Sequence, residues 1–217
     1  QHPQIKEPYK KEIHYFDYHY KKGLNWFKLH FPTKSEMTQD GENCITGEAS
    51  PYYLSHPLAP ERMKKLLPKI KLIVLLRNPV DRALSNYNHM VRLDFEKETF
   101  EKATELEITR TSGEEEKIKK DPNYYSFNHH HYSYLSRGRY YKELERWFEH
   151  YPREQFMIIN SEEFYSNPQI VFSDTLHFLN LKPWKPKSFK AFNTGGDYEE
   201  IPVELRQKLS DYFKPYN

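Results

Sequence analysis

Residues Lys71–Arg92 read KLIVLLRNPVDRALSNYNHMVR, and the fold class turns on them. An all-apolar run from Leu72 to Leu76 predicts a strand, and it ends at Arg77 and Asn78. Pro79 lacks the N–H that a first helical residue would leave unpaired, so the helix is expected to start there and run to Arg92. A strand that turns directly into a helix aims free N–H groups and the positive end of the helix dipole at one point, which suits an anion. Arg77 adds a planar cationic fork beside it. Arg82, Ser85, His89 and Arg92 then follow at spacings of three, four and three, giving one polar, cationic helix face, with Leu84, Tyr87 and Val91 turned toward the core.

Outward from this stretch, short apolar runs predict strands at Ile13–Phe16, Cys44–Thr46, Lys71–Leu76 and Gln155–Ile159. Helical spacing predicts helices at Pro60–Leu67, Phe100–Ile108, Arg139–His150, Pro168–Leu179 and Val203–Phe213. Strands alternating with helices imply an α/β fold with a parallel sheet covered on both faces, and ligands at the carboxyl ends of the strands. The charge run TSGEEEKIKK at Thr111–Lys120 is expected to be a solvated loop or frayed helix. No repeat or low-complexity linker divides residues 1–217, so a single domain is expected.

Thirty-three Lys and Arg against 31 Asp and Glu leave a formal charge of +2, which argues against a nucleic-acid partner and requires any anion site to be local. Cys44 is the only cysteine, so an intrachain disulfide framework is excluded and a reducing compartment is mildly favoured. No apolar run approaches the roughly 20 residues of a membrane span, so a cytoplasmic protein is expected. His129–His131 and His14 lack a Cys or carboxylate at ligand spacing, so a wet loop cluster and no metal are expected.

The pattern R-N-P-x-x-R-A-x-S-x-Y from Arg77 to Tyr87 resembles the 3′-phosphate element of sulfotransferases that use 3′-phosphoadenosine 5′-phosphosulfate (PAPS). The resemblance implies a parallel sheet flanked by helices, like that of P-loop nucleotide kinases. It also implies that Arg77 and Ser85 hold the 3′-phosphate, with Arg82 beside them and 3′-phosphoadenosine 5′-phosphate (PAP) as product. A dianionic phosphate wants such a fork plus a hydroxyl donor. K-E-I-H-Y-F-D at Lys11–Asp17 is similar to the K-E-x-H-F-F-D segment of heparan-sulfate-type members. By that likeness Glu12 is the general base, His14 an orienting or charge-stabilising group, and Asp17 a substrate contact. Strand alternation would put Glu12, His14 and Phe16 on one face. His89, one turn beyond Ser85, is a third catalytic candidate.

GEASPYYL at Gly47–Leu54 resembles the family's acceptor-side E-x-S-P-x-Y element, implying roles for Glu48, Ser50 and Tyr53. YLSRGRYYKELERW resembles its S-x-G-x-Y segment, placing Ser136, Gly138 and Tyr140 beside the nucleotide. Ala49 stands where heparan sulfate 3-O-sulfotransferases have lysine, which weakens the case for a highly sulfated polysaccharide. The wording is closer to bacterial members, including stand-alone enzymes and domains of polyketide synthases. The acceptor class is left open among small molecule, glycan and carrier-bound acyl chain, with the Golgi lumen as the compartment of a eukaryotic member. The family's phosphosulfate loop, K-x-G-[ST]-[ST], is absent from these residues, so the chain is expected to be incomplete at both ends. A non-catalytic nucleotide-binding module of the same fold is the alternative, and a P-loop kinase relative is the other, although G-x-x-x-x-G-K-[ST] is also absent.

Overall fold

A computed structural model describes residues 2–39, 42–189 and 201–217. In chain order its elements are β1 (Ile5–Lys6), α1 (Gly23–Lys28), β2 (Thr38–Gln39), β3 (Glu42–Asn43), β4 (Ile45–Thr46), α2 (Ala59–Leu66), β5 (Leu72–Leu76) and α3 (Pro79–Arg92). There follow α4 (Phe100–Thr111), α5 (Glu114–Lys120), α6 (Phe127–His131), α7 (Tyr140–Phe148), β6 (Phe156–Asn160), α8 (Ser161–Ser166), α9 (Pro168–Phe178) and α10 (Val203–Phe213).

β5 and β6 pair in parallel, with Leu72 opposite Phe156 and Leu76 opposite Asn160. Parallel pairing needs a long crossover, which α3 to α7 supply. β1 and β4 form a second parallel pair, and β2 and β3 an antiparallel one. The α/β architecture is therefore as expected. Its main strand is less covered than expected: Leu72 and Val74 pack on the core, while Ile73 and Leu75 are 38% and 53% exposed.

Asn78 explains where α3 starts. Its side chain accepts from the backbone N–H of Val80 at 2.9 Å and of Asp81 at 3.3 Å, as a good N-cap does. The amides expected to be free for an anion are thus largely used by the cap, and the positive charge at this turn is left to side chains. Val80, Ala83 and Met90 bury one side of α3, with Leu84 and Tyr87 packed against the same cluster. Val91, expected in the core, is 42% exposed near the helix end.

Two further expectations are corrected. Ile13–Phe16 is irregular chain entering a turn at 15–18 rather than a strand, because Glu12 (φ 53°) and His14 (φ 54°) are left-handed. Thr111–Lys120 contains the helix α5, because Ile118 is 1% exposed and the buried Glu114 carboxylate accepts from Ser126 Oγ, Tyr124 Oη (2.8 Å) and Lys117. A side chain with this many partners can be buried without isolated charge.

Two cores result. Ile13, Tyr15, Phe16, Phe27, Tyr53, Met63, Trp147 and Tyr151 anchor one, under β5 and β6. Val80, Phe100, Tyr134, Leu209 and Phe213 anchor the other, between α3, α4 and α10.

Candidate active site

The Glu12–Asp17 loop is held by its backbone. The N–H of Ile13 donates to Glu48 Oε1 at 2.9 Å, and that of His14 to Ser50 Oγ at 3.0 Å. The N–H groups of Tyr15 and Phe16 both donate to Tyr53 Oη, at 2.7 and 3.3 Å. Ser50 Oγ donates in turn to Glu48. From the other side, the buried Arg62 of α2 donates to the carbonyls of Phe16, Asp17 and Pro122. Burial pushes the Glu48 carboxyl upward, against the hydrogen bonds from Ser50 and Ile13 that pull it down. Left-handed backbone at a non-glycine residue costs of order 1 kcal/mol or more, so two such residues persist only where neighbours dictate the path.

The result brings Glu12 and His14 together, though by a turn and not by strand alternation. His14 Nε2 lies 3.8 Å from Glu12 Oε2. On its far side His14 Nδ1 is 2.6 Å from Asp17 Oδ2, and Asp17 Oδ1 accepts the N–H of Tyr18 at 2.6 Å. A carboxylate only accepts, so this bond puts a proton on Nδ1 and turns Nε2 toward Glu12. Phe16, expected on the Glu12 face, is instead buried in the core. A cleft of about 320 Å³ opens at Glu12, with Lys10, Lys11, Gly47 and Ala49 among its walls.

A second group of residues gathers at the start of α3. Tyr140 Oη donates to the carbonyl of Arg77 at 3.0 Å, while the Arg77 side chain is exposed. Gly138 lies against this turn: a Cβ there would stand 3.1 Å from Pro79 and 2.7 Å from the Phe213 ring. The N–H groups of Leu135 and Ser136 donate to the buried Glu107 carboxylate. Arg82 donates to the Tyr134 carbonyl, while its Nε is buried without a hydrogen-bond partner among the described residues. Burial and the neighbouring Arg137 pull its pKa down to about 10. Ser85 is half-buried on α3, with no hydrogen bond from its hydroxyl among the described residues. A polar cavity of about 280 Å³ adjoins Ser136, lined also by Arg137, Arg139, Lys142 and Arg146.

His89 is exposed in the last turn of α3 and close enough to His131 to disfavour a charge there. His129–His131 lie in the short helix α6 and not in a wet loop; burial lowers their pKa values to about 4, 2 and 4.

Residues 1–192 match the family model for the sulfotransferase domain. The chain belongs to the sulfotransferase domain family. Among curated relatives, it is 27% identical to the membrane-associated sulfotransferase kil1 of Dictyostelium discoideum, over 100% of this chain and 59% of that protein. It is 31% identical to heparan sulfate glucosamine 3-O-sulfotransferase 5 of Mus musculus, over 95% of this chain and 61% of that one. The chain thus spans about three fifths of these relatives. A sulfotransferase from Alicyclobacillus acidocaldarius has a solved structure similar to this one, with a TM-score of 0.65 and 30% identity over 99% of this chain and 83% of that chain.

Several residues that organise this sulfotransferase domain carry no motif. Arg62 and Glu107 are examples, and each has a sequence signal of its own. Glu107 continues the Phe100, Ala103, Thr104 stripe of α4, and Arg62 lies between Ala59 and Met63 on the buried side of α2. A charge on an apolar stripe marks a side chain with an assigned partner. No helix among the described residues is long and apolar enough to cross a membrane.

Proposed function

We propose that this domain moves a sulfuryl group from PAPS to an acceptor hydroxyl, with Glu12 as general base. The observation that carries the reading is the ordered contact from Asp17 through His14 to Glu12 at a cleft, in a sulfotransferase domain. The acceptor oxygen forms the new bond to sulfur as the bond from sulfur to the oxygen of the 5′-phosphate breaks. The acceptor proton goes to Glu12, and PAP leaves. A base needs hydrogen-bond reach of that proton and a fixed direction, which the clamped loop supports.

In this reading Asp17 orients His14, and His14, when Nε2 also carries a proton, steadies Glu12 or the charge on the transferring group. Glu48, Ser50 and Tyr53 act through the loop backbone they hold, a positioning role in place of the acceptor contact that the motif implies. Arg77 and Ser85 take the 3′-phosphate. The Arg82 Nε, without a hydrogen-bond partner among the described residues and in a site expected to take a dianion, favours Arg82 as a third donor. Ser136, Gly138 and Tyr140 shape the same turn. His89 is kept as a group that steadies transferring charge.

Incubation of the full-length protein with labelled PAPS and a panel of hydroxyl acceptors tests the proposal. PAP release matched by acceptor labelling is the expected result. Tight PAP binding without transfer to any acceptor would instead favour the non-catalytic nucleotide-binding module.

A further inference from the structure

The polar cavity of about 280 Å³ beside Ser136 carries more positive charge than its own carboxylates cancel. Arg137, Arg139, Lys142 and Arg146 line it against Glu115 and Glu143, an excess of two cations. Arg146 is spent on those carboxylates, at 3.2 Å from Glu115 and 3.4 Å from Glu143. Among the described residues no ion pair within 4.0 Å reaches Arg137, Arg139 or Lys142. Burial pushes the Glu143 carboxyl up to about 7, so near neutral pH it cancels less than a full charge.

Aromatic rings hold the three unpaired cations in place. Arg137 lies over Tyr52 at 5.4 Å, while Arg139 and Lys142 lie over Tyr216 at 5.7 and 5.5 Å. A ring fixes a cation without cancelling its charge. Arg137 Nη1 donates to the His130 carbonyl at 3.2 Å, and the other N–H groups of this guanidinium have no acceptor among the described residues. Cations drawn partly out of water without counter-charges are costly, and an anion entering among them meets a fork already in position. Arg77, Arg82 and Ser85 do not line this cavity; its other walls include Ser55 and, from α5, Glu115.

We propose that this cavity is an anion site separate from the donor pocket, taking a small tetrahedral dianion, sulfate or phosphate, free or at the end of a monoester. The Arg137 fork and the Ser136 hydroxyl bind its oxygens, and Arg139 and Lys142 supply charge beside them. Arg146 stays a wall, fixed by its two carboxylates and by the Ser55 carbonyl at 3.2 Å. No bond is made or broken there, and the site stands whatever the donor and acceptor prove to be.

The test titrates the full-length protein with sodium sulfate, sodium phosphate and glycerol 2-phosphate, with chloride keeping the ionic strength constant. Sulfate at about ten times its dissociation constant should raise the melting temperature by roughly 3 to 6 °C. The rise should persist with PAP saturating the donor pocket and in Arg77→Ala. Lys142 is exposed, so its variants should fold. Lys142→Gln should weaken sulfate binding by roughly 3- to 10-fold by calorimetry, and Lys142→Glu, which removes the excess charge, should abolish it. Binding of glycerol 2-phosphate as well assigns the site to a monoester group, and binding of the inorganic ions alone assigns it to a free ion; either upholds the site. Loss of the sulfate effect with PAP bound or in Arg77→Ala places the anion in the donor pocket and overturns the proposal. A non-saturable effect that chloride reproduces, or parent-like sulfate affinity in Lys142→Glu, overturns it too.

Discussion

Tyr140 and Arg77 are 63 residues apart in sequence and joined by one hydrogen bond, from the tyrosine hydroxyl to the arginine carbonyl. The bond ties the start of α7 to the end of β5, at the turn where the cationic side chains converge. Gly138 closes the same corner, because a Cβ there would press on the Phe213 ring at 2.7 Å and force it to shift. The Asn78 cap consumes the first amides of α3, so binding of an anion here rests on side chains more than on the helix end.

Arg77→Ala should therefore weaken PAP binding by roughly 10- to 150-fold, the loss of about 1.5 to 3 kcal/mol for one charge-assisted contact. Calorimetry with PAP and 5′-AMP measures it. Equal affinity for the two nucleotides in the parent protein would remove the 3′-phosphate assignment. Tyr140→Phe should weaken PAP binding less, since it only releases the turn.

Glu12→Gln keeps the shape of the side chain and cannot take a proton, so turnover at saturating PAPS should drop by about 10²- to 10⁴-fold with PAP affinity unchanged. Glu7→Gln is the comparison, since Glu7 also follows a lysine and lines the same cleft, but it is Glu12 that stands against His14 and through it Asp17. Near-parent turnover in Glu12→Gln would move the base elsewhere, with His14 next.

Tyr53→Phe should leave the buried N–H groups of Tyr15 and Phe16 without their acceptor. The expected cost is about 1 to 3 kcal/mol, read as a fall of several degrees in melting temperature, together with lower kcat. A stable variant with full activity would show that the loop holds its shape without this clamp.

Stability should fall as the pH drops below about 6.5. Burial lowers His56, His129, His130 and His131 to about 3, 4, 2 and 4 from an ordinary 6.5, so in that window the unfolded chain takes up protons that the fold refuses. Glu143 works the other way: burial raises it to about 7, and its contribution falls as the pH rises from 4.5 to 7. Glu48, also raised by burial, acts in the same sense as Glu143, and the four histidines against these two carboxyls give a lower melting temperature at pH 5 than at pH 7. His130→Asn should flatten that slope; a melting temperature that is equal or higher at pH 5 contradicts the account.

The Lys71–Arg92 stretch was readable from sequence because its determinants are local. An apolar run makes the strand, and Asn78 with Pro79 starts the helix within three residues. Ile13–Phe16 was misread for the opposite reason. Its apolar residues imitate a strand, while its path is set by Glu48, Ser50, Tyr53 and Arg62, all more than 30 residues away. α5 was obscured similarly, since only the fold supplies the partners that let Glu114 be buried. The contact between Tyr18 and Tyr125 needed three-dimensional placement, because the two share no sequence neighbourhood.

The left-handed pair at Glu12 and His14 bears on any attempt to transplant this chemistry. Residues 11–17 grafted alone onto another scaffold would relax to an ordinary extended or helical path, and the carboxylate and imidazole would part. A portable unit would have to carry the 48–53 segment and an arginine equivalent to Arg62 along with it. What is inherited as a seven-letter motif is, physically, a three-segment device.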